Sequence, residues 1–172
     1  MTETLMTSSG PRPGLTDSRV IRAVQLIWRE ADLLDRKQYG EWQNLYCADG
    51  LYVIPIDART EDFANSLNMV YDDAPMRQMR VTRMTEGYAI AAVDAARTVR
   101  TVSRFVVEEA GDDEVTLRSA QVLVAYKRGR HDLWAGEVTH RVRLADDGDR
   151  IALKVVRLVD SEDAVPAAGF LL

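Results

Sequence analysis

The second half of the chain carries the clearest β-strand pattern. Between residues 98 and 160 the sequence consists of runs rich in Val, Leu, Ile, Thr and Phe, separated at residues 110–113 and 146–149 by acidic segments that contain glycine. Such segments between apolar runs are typical of hairpin turns. The pattern therefore predicts three or four long antiparallel strands, whose apolar face needs a second layer to cover it.

Two of the predicted strands alternate between apolar and polar residues, which predicts one face towards a core and one towards solvent. In residues 138–144 the apolar face includes His140. In residues 151–155 the same rule places Lys154 on the polar face, opposite Ile151, Leu153 and Val155. The alternation slips at residues 155–156, so we expect a bulge or a twist at that point.

The two earlier strands, residues 98–108 and 115–126, are rich in β-branched residues but do not alternate cleanly between apolar and polar positions. Strands without a polar face are typical of sheets that are covered on both sides. We therefore expect these strands to contact a partner subunit on one face as well as their own core on the other.

The first half of the chain predicts the covering layer. Thr16 and Asp17 are candidate helix caps, and the apolar residues after them recur at spacings that place all of them on one helical face: Val20, Val24, Ile27, Ala31 and Leu34. The opposite face is polar and carries Arg19, Arg22, Arg29, Glu30 and Arg36. We expect this amphipathic helix to end near Gly40.

Shorter elements follow the helix. The sequence predicts a short second helix at residues 41–46, then a turn at Asp49–Gly50 that leads into a strand at residues 51–56. Because proline has no N–H group for the sheet, Pro55 requires either an edge strand or the end of the strand. The polar residues 57–66 break both periodicities and predict a surface loop.

A further strand is predicted at residues 67–71 and a helix at residues 76–85, whereas residues 87–96 have little pattern and are interpreted as a loop. The helix carries a row of arginines at spacings of three. Such a row beside an acidic helix start is typical of a solvated or salt-bridged face, and we expect this of Arg77, Arg80 and Arg83.

Composition limits the class of protein. The 172 residues are 47% hydrophobic and 28% charged, with a formal net charge of −5, which is ordinary for a globular protein. We expect a flexible tail at residues 1–15 and a single domain at residues 16–172. The acidic balance argues against a nucleic-acid partner, and no apolar run approaches the roughly 18 residues of a membrane span. The first residues lack the pattern of a secretory signal, so we expect a cytoplasmic protein.

Few residues are suited to chemistry. The single cysteine, Cys47, is interpreted as a small buried residue, and His131, beside a glycine turn, as an exposed one. His140 could be a general base in an apolar pocket or a satisfied core histidine, and the structural role is favoured. Asp57 and Asp94 are carboxylates that could accompany it, although turn and cap roles explain them. One cysteine and two histidines do not indicate a metal site.

The order of elements resembles the cone-shaped α+β fold of ketosteroid isomerases, scytalone dehydratases and nuclear transport factor, in which a long curved antiparallel sheet wraps around N-terminal helices. Within that fold the residues most resemble the small, or beta, subunit of bacterial aromatic-ring-hydroxylating dioxygenases. The resemblance covers nearly the whole chain after residue 16 and rests on the order and spacing of residues 30–35, Trp42, 49–52, Pro55, 71–73, Arg80, Arg83, 97–98, 102–103 and 150–160. Arg104 stands where the family often has asparagine.

This resemblance implies a subunit without its own active site, cofactor or metal. In such enzymes the Rieske [2Fe–2S] cluster and the mononuclear iron belong to the large alpha subunit, and three beta subunits pack with three alpha subunits in a hexamer. The sequence agrees, because one cysteine and two histidines cannot supply the two cysteines and two histidines of a Rieske centre. The expected partners are therefore the catalytic alpha subunit and further copies of this chain, in the breakdown of aromatic compounds.

Two other functions remain open at this point. The first is a stand-alone isomerase or dehydratase on the same cone fold, with His140, Asp57 or Asp94 as acid–base groups in an apolar pocket. The second is a homo-oligomeric binding protein without chemistry. The hypotheses differ in what the interior of the cone-shaped fold contains. A stand-alone enzyme requires an open pocket that reaches the acid–base residue, whereas a subunit without an active site is expected to have a filled interior.

Overall fold

The computed structural model describes residues 13–86, 96–163 and 169–172. They form an α+β arrangement, as the sequence predicts, in the order α1 (Ser18–Asp35), α2 (Tyr39–Gln43), β1 (Tyr46–Pro55), β2 (Asn68–Asp72), α3 (Ala74–Glu86), β3 (Arg97–Ala110), β4 (Glu114–Lys127), β5 (Arg130–Arg143) and β6 (Arg150–Leu158). The strands make one sheet of order β2-β1-β6-β5-β4-β3, in which only the β1–β6 pair is parallel. None of the helices in this part of the chain has the length and apolar character needed to cross a lipid bilayer.

Helix α1 begins where the sequence predicts and ends earlier. The Asp17 side chain accepts from the backbone N–H of Arg19 at 2.9 Å and caps the helix. The helix stops at Asp35 because Lys37 takes a left-handed conformation, with φ of 59°. The Lys37 and Gln38 N–H groups then bond to carbonyls of the last turn, which completes a Schellman end. The predicted end near Gly40 is therefore wrong, because a non-glycine residue adopts the conformation expected of glycine.

Helix α1 also closes one edge of the sheet. Strand β3 lies at that edge, and α1 packs against it. The Asp35 carboxylate accepts from the backbone N–H of Arg100 at 2.8 Å, and the Trp28 indole donates to the Val102 carbonyl at 3.3 Å. Backbone groups that an edge strand would otherwise present to other chains are thus bonded within this chain.

Strand β1 differs from its prediction. Asp49 and Gly50 are not a turn; they lie inside β1, where the pairing with β6 shifts register. A Cβ atom on Gly50 would stand 2.7 Å from the Ile151 carbonyl oxygen, so the glycine permits the close approach of the two strands. Strand β1 ends at Pro55, as predicted, and it is an inner strand rather than an edge.

A bulge in β6 changes which of its residues face the core. Opposite β5, Ile151 pairs with Val142 and Leu153 pairs with Arg141, so Ala152 is an extra residue. Lys154 therefore pairs with His140 and faces the core, where it is 1% exposed. The prediction that Lys154 lies on the outer face is wrong, because the bulge is at Ala152 and not at residues 155–156.

The arginine row of α3 divides into three environments. Arg80 is salt-bridged to Asp72, with Nη2 and Oδ1 3.0 Å apart, as the sequence predicts. Arg83 is exposed. Arg77 departs from the prediction: it is buried, donates to the Gly50 carbonyl, and its guanidinium lies 4.2 Å from the ring centre of Tyr46.

Apolar side chains on the outer face of the sheet explain why apolar and polar residues alternate poorly in the sequences of β3 and β4. Inward and outward positions do alternate in burial along both strands, but apolar side chains also occupy outward positions. Val124 pairs with Val99 on one side and with Leu133 on the other, and Val99 and Leu133 are 70% and 67% exposed. We call this set the outer patch; its members are Val99, Val122, Val124, Tyr126 and Leu133.

Arg104 interrupts β3 at a bulge. It has a φ of 54°, which glycine and asparagine adopt more readily than arginine. Among the described residues, its side chain bonds to the half-buried Glu137 carboxylate at 2.7 Å. We expect Arg104→Asn to raise the free energy of unfolding by up to about 1 kcal/mol, because relief of the backbone outweighs loss of a surface ion pair. Urea denaturation measures this change.

The matched control is Arg118→Asn. Arg118 bonds to the same Glu137 carboxylate, and also to Glu108 at 2.7 Å, but has no positive φ. This substitution is expected to lower stability slightly, by up to about 1 kcal/mol. Equal destabilisation by both substitutions would contradict the argument that the Arg104 backbone is strained.

Candidate functional site

Five polar or aromatic side chains meet in the interior between the helices and the sheet, and we call them the interior cluster. Each comes from a different element, α1, α2, β1, β5 or β6, and all are buried: Glu30, Trp42, Tyr46, His140 and Lys154. Glu30 follows Ile27 by three residues and precedes Leu34 by four, so it belongs to the apolar face of α1. The prediction that Glu30 lies on the polar face is therefore wrong.

The Glu30 carboxylate is the centre of this cluster. Its Oε1 accepts from the Trp42 indole N–H at 2.9 Å and from the Lys154 ammonium at 2.9 Å. Its Oε2 lies 2.8 Å from His140 Nε2. The Tyr46 hydroxyl adds a longer contact of 3.4 Å to Oε1. A buried carboxylate with this many donors is satisfied as an ion, and it joins α1 to both β5 and β6.

The charges within the cluster follow from burial and contact. Burial alone would raise the pKa of Glu30, but the Lys154 ammonium and the His140 hydrogen bond outweigh burial and lower the pKa. Burial lowers the pKa of Lys154 and also that of His140, and Glu30 opposes both changes. At neutral pH we therefore assign a charged Glu30–Lys154 pair and a neutral His140 that donates from Nε2. His140 Nδ1 has no hydrogen-bond partner among the described residues.

These pKa directions predict how stability depends on pH. The pKa of His140 is lower in the folded protein than its ordinary value of 6.5, so as the pH falls below about 6.5 the unfolded chain begins to bind a proton that the folded protein does not. Acidification below this pH should therefore lower the free energy of unfolding. In His140→Gln, whose amide can still donate to Glu30, we expect this loss to be smaller, by at most about 1.4 kcal/mol for each pH unit, which is the effect of one proton.

Chemical denaturation of both proteins at several pH values measures this difference. The matched control is His131→Gln, because His131 is exposed and its ring lies beside the Tyr126 ring on the surface, at 4.9 Å between ring centres. This control should keep the pH dependence of the wild type. If His140→Gln also kept it, the assignment of a neutral, buried His140 would be wrong.

The structure separates the other candidate residues from the interior cluster. Asp57 lies in the loop after β1, where it accepts from the Arg59 backbone N–H at 2.9 Å, an ordinary turn contact. Asp94 lies outside the described residues. His131 is exposed and Cys47 is buried, as predicted, and burial raises the pKa of the Cys47 thiol.

Of the two acid–base candidates that the structure describes, His140 and Asp57, only His140 lies in the interior, where it is 1% exposed. Three surface clefts in the described part of the chain are lined by residues other than His140. Within residues 13–86, 96–163 and 169–172, no three His, Cys, Asp or Glu side chains come together as a metal site would require. The interior cluster thus has acid–base groups, but its described hydrogen bonds are made among its own side chains and to the main chain at Leu172.

Comparison with known proteins gives the family. A family model described as "Ring hydroxylating beta subunit" matches residues 29–162. The chain belongs to this family. The small oxygenase component of the p-cumate 2,3-dioxygenase system of Pseudomonas putida is 32% identical over 131 residues, which are 75% of this chain and 73% of that protein. The predicted resemblance to small subunits of aromatic-ring-hydroxylating dioxygenases is confirmed.

Solved structures confirm the fold class of this beta subunit. The beta subunit of the benzoate 1,2-dioxygenase from Burkholderia mallei matches with a TM-score of 0.74 at 23% identity, over 90% of this chain and 97% of that chain. A candidate scytalone dehydratase from Novosphingobium aromaticivorans matches with a TM-score of 0.64 at 11% identity, over 86% and 89%. The second match shows that the fold alone does not distinguish a subunit from an enzyme.

Proposed function

We propose that this chain is the non-catalytic beta subunit of an aromatic-ring-hydroxylating dioxygenase. In this proposal three copies assemble with three catalytic alpha subunits in the cytoplasm, and the chain stabilises the hexamer. The observation that carries the proposal is the family match across residues 29–162. The name of the Pseudomonas putida relative, a small oxygenase component, supports a role beside a larger component.

The residues of this chain do not fit the cofactors of such an enzyme. A Rieske cluster requires two cysteines and two histidines, and the chain has one cysteine and two histidines. His140 is already bonded to Glu30 in the interior, and His131 lies on the surface in β5. We therefore assign the Rieske [2Fe–2S] cluster and the mononuclear iron to the alpha subunit, and with them the reaction and the choice of aromatic substrate.

The outer patch supports the assembly part of the proposal. It places exposed apolar side chains on three adjacent strands, with Val124 between Val99 and Leu133. Contiguous exposed apolar side chains of this kind mark contact surfaces between proteins. We assign the outer patch to contact with a second beta subunit, so that the chain by itself forms a trimer.

The alternative of a stand-alone isomerase or dehydratase is less well supported. That function requires a substrate to reach His140. His140 is buried together with Lys154, and its Nε2 atom is bonded to Glu30. The family match also favours the subunit. The arguments for the enzyme are the fold shared with the candidate scytalone dehydratase and the buried acid–base groups of the interior cluster.

Co-expression with a Rieske-type large subunit tests the partnership. An affinity tag on this chain should retain both proteins in equal amounts, and the complex should elute as one species in gel filtration. A tagged variant with Val124→Glu in the outer patch serves as a comparison for the contact between beta subunits. If the large subunit and this chain run only as separate species, the proposed function is wrong.

A further inference from the structure

The outer patch continues into an open cleft at one end of the sheet. The cleft has a volume of about 800 Å³ and lies where β3 begins and β4 ends. Three members of the outer patch line it: Val99, Val124 and Tyr126. Its volume is within the range of about 300–1,000 Å³ in which protein clefts enclose whole ligands. The cleft is therefore large enough to receive the tip of a hairpin.

Two cations, Lys37 and Arg97, line the same cleft. Within the described part of the chain neither is paired with a carboxylate, and burial lowers the pKa of Lys37 with no anion to oppose it. Asp35 also lines the cleft, but its carboxylate is already bonded to Thr98 and Arg100, both at 2.9 Å. The cleft thus combines apolar side chains with positive charge that no described side chain neutralises.

The opposite end of the same strands is acidic. The turn between β3 and β4 and the turn between β5 and β6 both lie at that end, because Ala110 pairs with Val115 and Glu114 pairs with Arg143. Together the two turns carry four exposed carboxylates: Asp112, Asp113, Asp146 and Asp147. Strand β3 has 14 residues, so the acidic end is about 40 Å from the cleft along the strand. The two charged ends therefore cannot neutralise each other within one chain.

The β3–β4 turn is the better suited of the two acidic turns to enter a cleft. Its backbone is fixed, because Arg19 donates to the Gly111 carbonyl at 2.9 Å, while the Asp112 side chain is fully exposed, with only a 3.9 Å contact to Arg19. The turn is also the tip of the two strands that carry most of the outer patch. The β5–β6 turn, by contrast, faces cations of its own chain: Asp147 lines a different cleft together with Arg22, Arg29 and Arg150.

We propose that the cleft receives the β3–β4 turn of a second copy of this chain. Asp112 and Asp113 of the second copy pair with Lys37 and Arg97, and these ion pairs extend the apolar contact made by the outer patch. Because every copy carries both the cleft and the turn, the contacts run head to tail and can close into a ring. This inference rests on the proposed trimer and names the two surfaces that form it.

Reversal of charge on each surface, in the full-length chain, tests this contact. The cleft variant is Lys37→Glu/Arg97→Glu, and the turn variant is Asp112→Lys/Asp113→Lys. Each places like charges opposite each other, whereas a fourfold variant that combines them restores opposite charges.

Each variant has a matched control with the same change of charge. For the cleft variant it is Arg59→Glu/Arg83→Glu, because both arginines are exposed in the loop after β1 and in α3, away from the cleft. For the turn variant it is Asp146→Lys/Asp147→Lys, at the same end of the sheet. Sedimentation equilibrium at low ionic strength measures association, and urea denaturation checks that each variant unfolds cooperatively.

We expect the dissociation constant of the trimer to rise at least about tenfold in the cleft variant and in the turn variant. The fourfold variant should recover the wild-type value to within about threefold, and both controls should keep it. The wild type supplies a test without any substitution. Chains with a net charge of −5 repel one another, so salt would strengthen an uncharged contact, whereas ion pairs between the copies predict at least about tenfold weaker association between about 0.05 and 0.5 M salt.

Three results would overturn the inference and leave the proposed trimer unaffected. The first is a trimer that is equally stable in the cleft and turn variants. The second is a fourfold variant that stays dissociated, because the two surfaces would then not face each other. The third is a wild-type trimer that salt leaves unchanged or strengthens. Equal dissociation of the β5–β6 control and the turn variant would overturn the choice of turn. A wild-type chain that remains a monomer would contradict the proposed trimer itself, and the inference with it.

Discussion

Replacing Lys154 with methionine is expected to lower the free energy of unfolding by about 3–5 kcal/mol, the largest effect of any single substitution considered for this chain. Methionine has a similar length but no charge, so it leaves the Glu30 carboxylate buried without its cation. It also removes the donor to Leu172 O. Urea denaturation at neutral pH measures the change.

A double-mutant cycle isolates the ion pair from these other losses. Glu30→Gln alone leaves the Lys154 ammonium buried with a weaker partner, and we expect a loss of similar size. The double variant Glu30→Gln/Lys154→Met should be less destabilised than the sum of the two, by about 2 kcal/mol or more. Arg36→Met, which breaks the exposed pair of Arg36 with Asp32 on the same helix, should cost at most about 0.5 kcal/mol. Simple additivity in the cycle would show that Glu30 and Lys154 are not energetically coupled.

A negative charge in the outer patch is expected to prevent self-association of the chain. In Val124→Glu the new carboxylate lies between Val99 and Leu133, so a second subunit could cover the patch only by burying an unpaired charge. We expect the association constant to fall at least about a hundredfold. This factor is the free-energy cost of burying an unpaired charge, converted to a ratio of equilibrium constants. Sedimentation equilibrium should show a trimer for the wild type and a monomer for the variant.

The control for this prediction is Leu67→Glu. Leu67 is 80% exposed and precedes β2, at the opposite end of the strand order from β3 and β4. This variant should remain a trimer, and both variants should unfold as cooperatively as the wild type. A trimer that survives Val124→Glu would place the contact between beta subunits elsewhere.

The sequence predicted the parts of the fold that depend on regular periodicity. The apolar stripe of α1 and the inward face of β5 follow directly from spacing, and the latter correctly placed His140 in the interior. Periodicity failed where the backbone departs from ideal geometry. The extra residue Ala152 reverses the expected orientation of Lys154, and the left-handed Lys37 ends α1 before Gly40. Alanine is not typical of a bulge, and lysine is not typical of a left-handed helix end. Neither departure could therefore be predicted from the residue type.

The interior cluster was missed for a related reason. A glutamate on a helix is usually solvated, and Glu30 was therefore assigned to the polar face although its spacing from Ile27 and Leu34 fits the apolar one. Its burial depends on Lys154 and His140, which are more than 100 residues away in sequence. A charged residue at an apolar helical position, together with a lysine in an apolar strand, is the signal that could have predicted the pair.

The claim that this beta subunit is non-catalytic is tested most directly by His140→Gln in the assembled oxygenase. The variant keeps a donor to Glu30 and removes the one imidazole that the described structure places in the interior. Oxygen uptake is measured with an aromatic compound that the wild-type complex oxidises, for complexes of equal iron content. We expect turnover within about twofold of the wild type. A loss of about 10²–10⁴-fold in an intact complex, the usual contribution of a general acid or base, would contradict the claim.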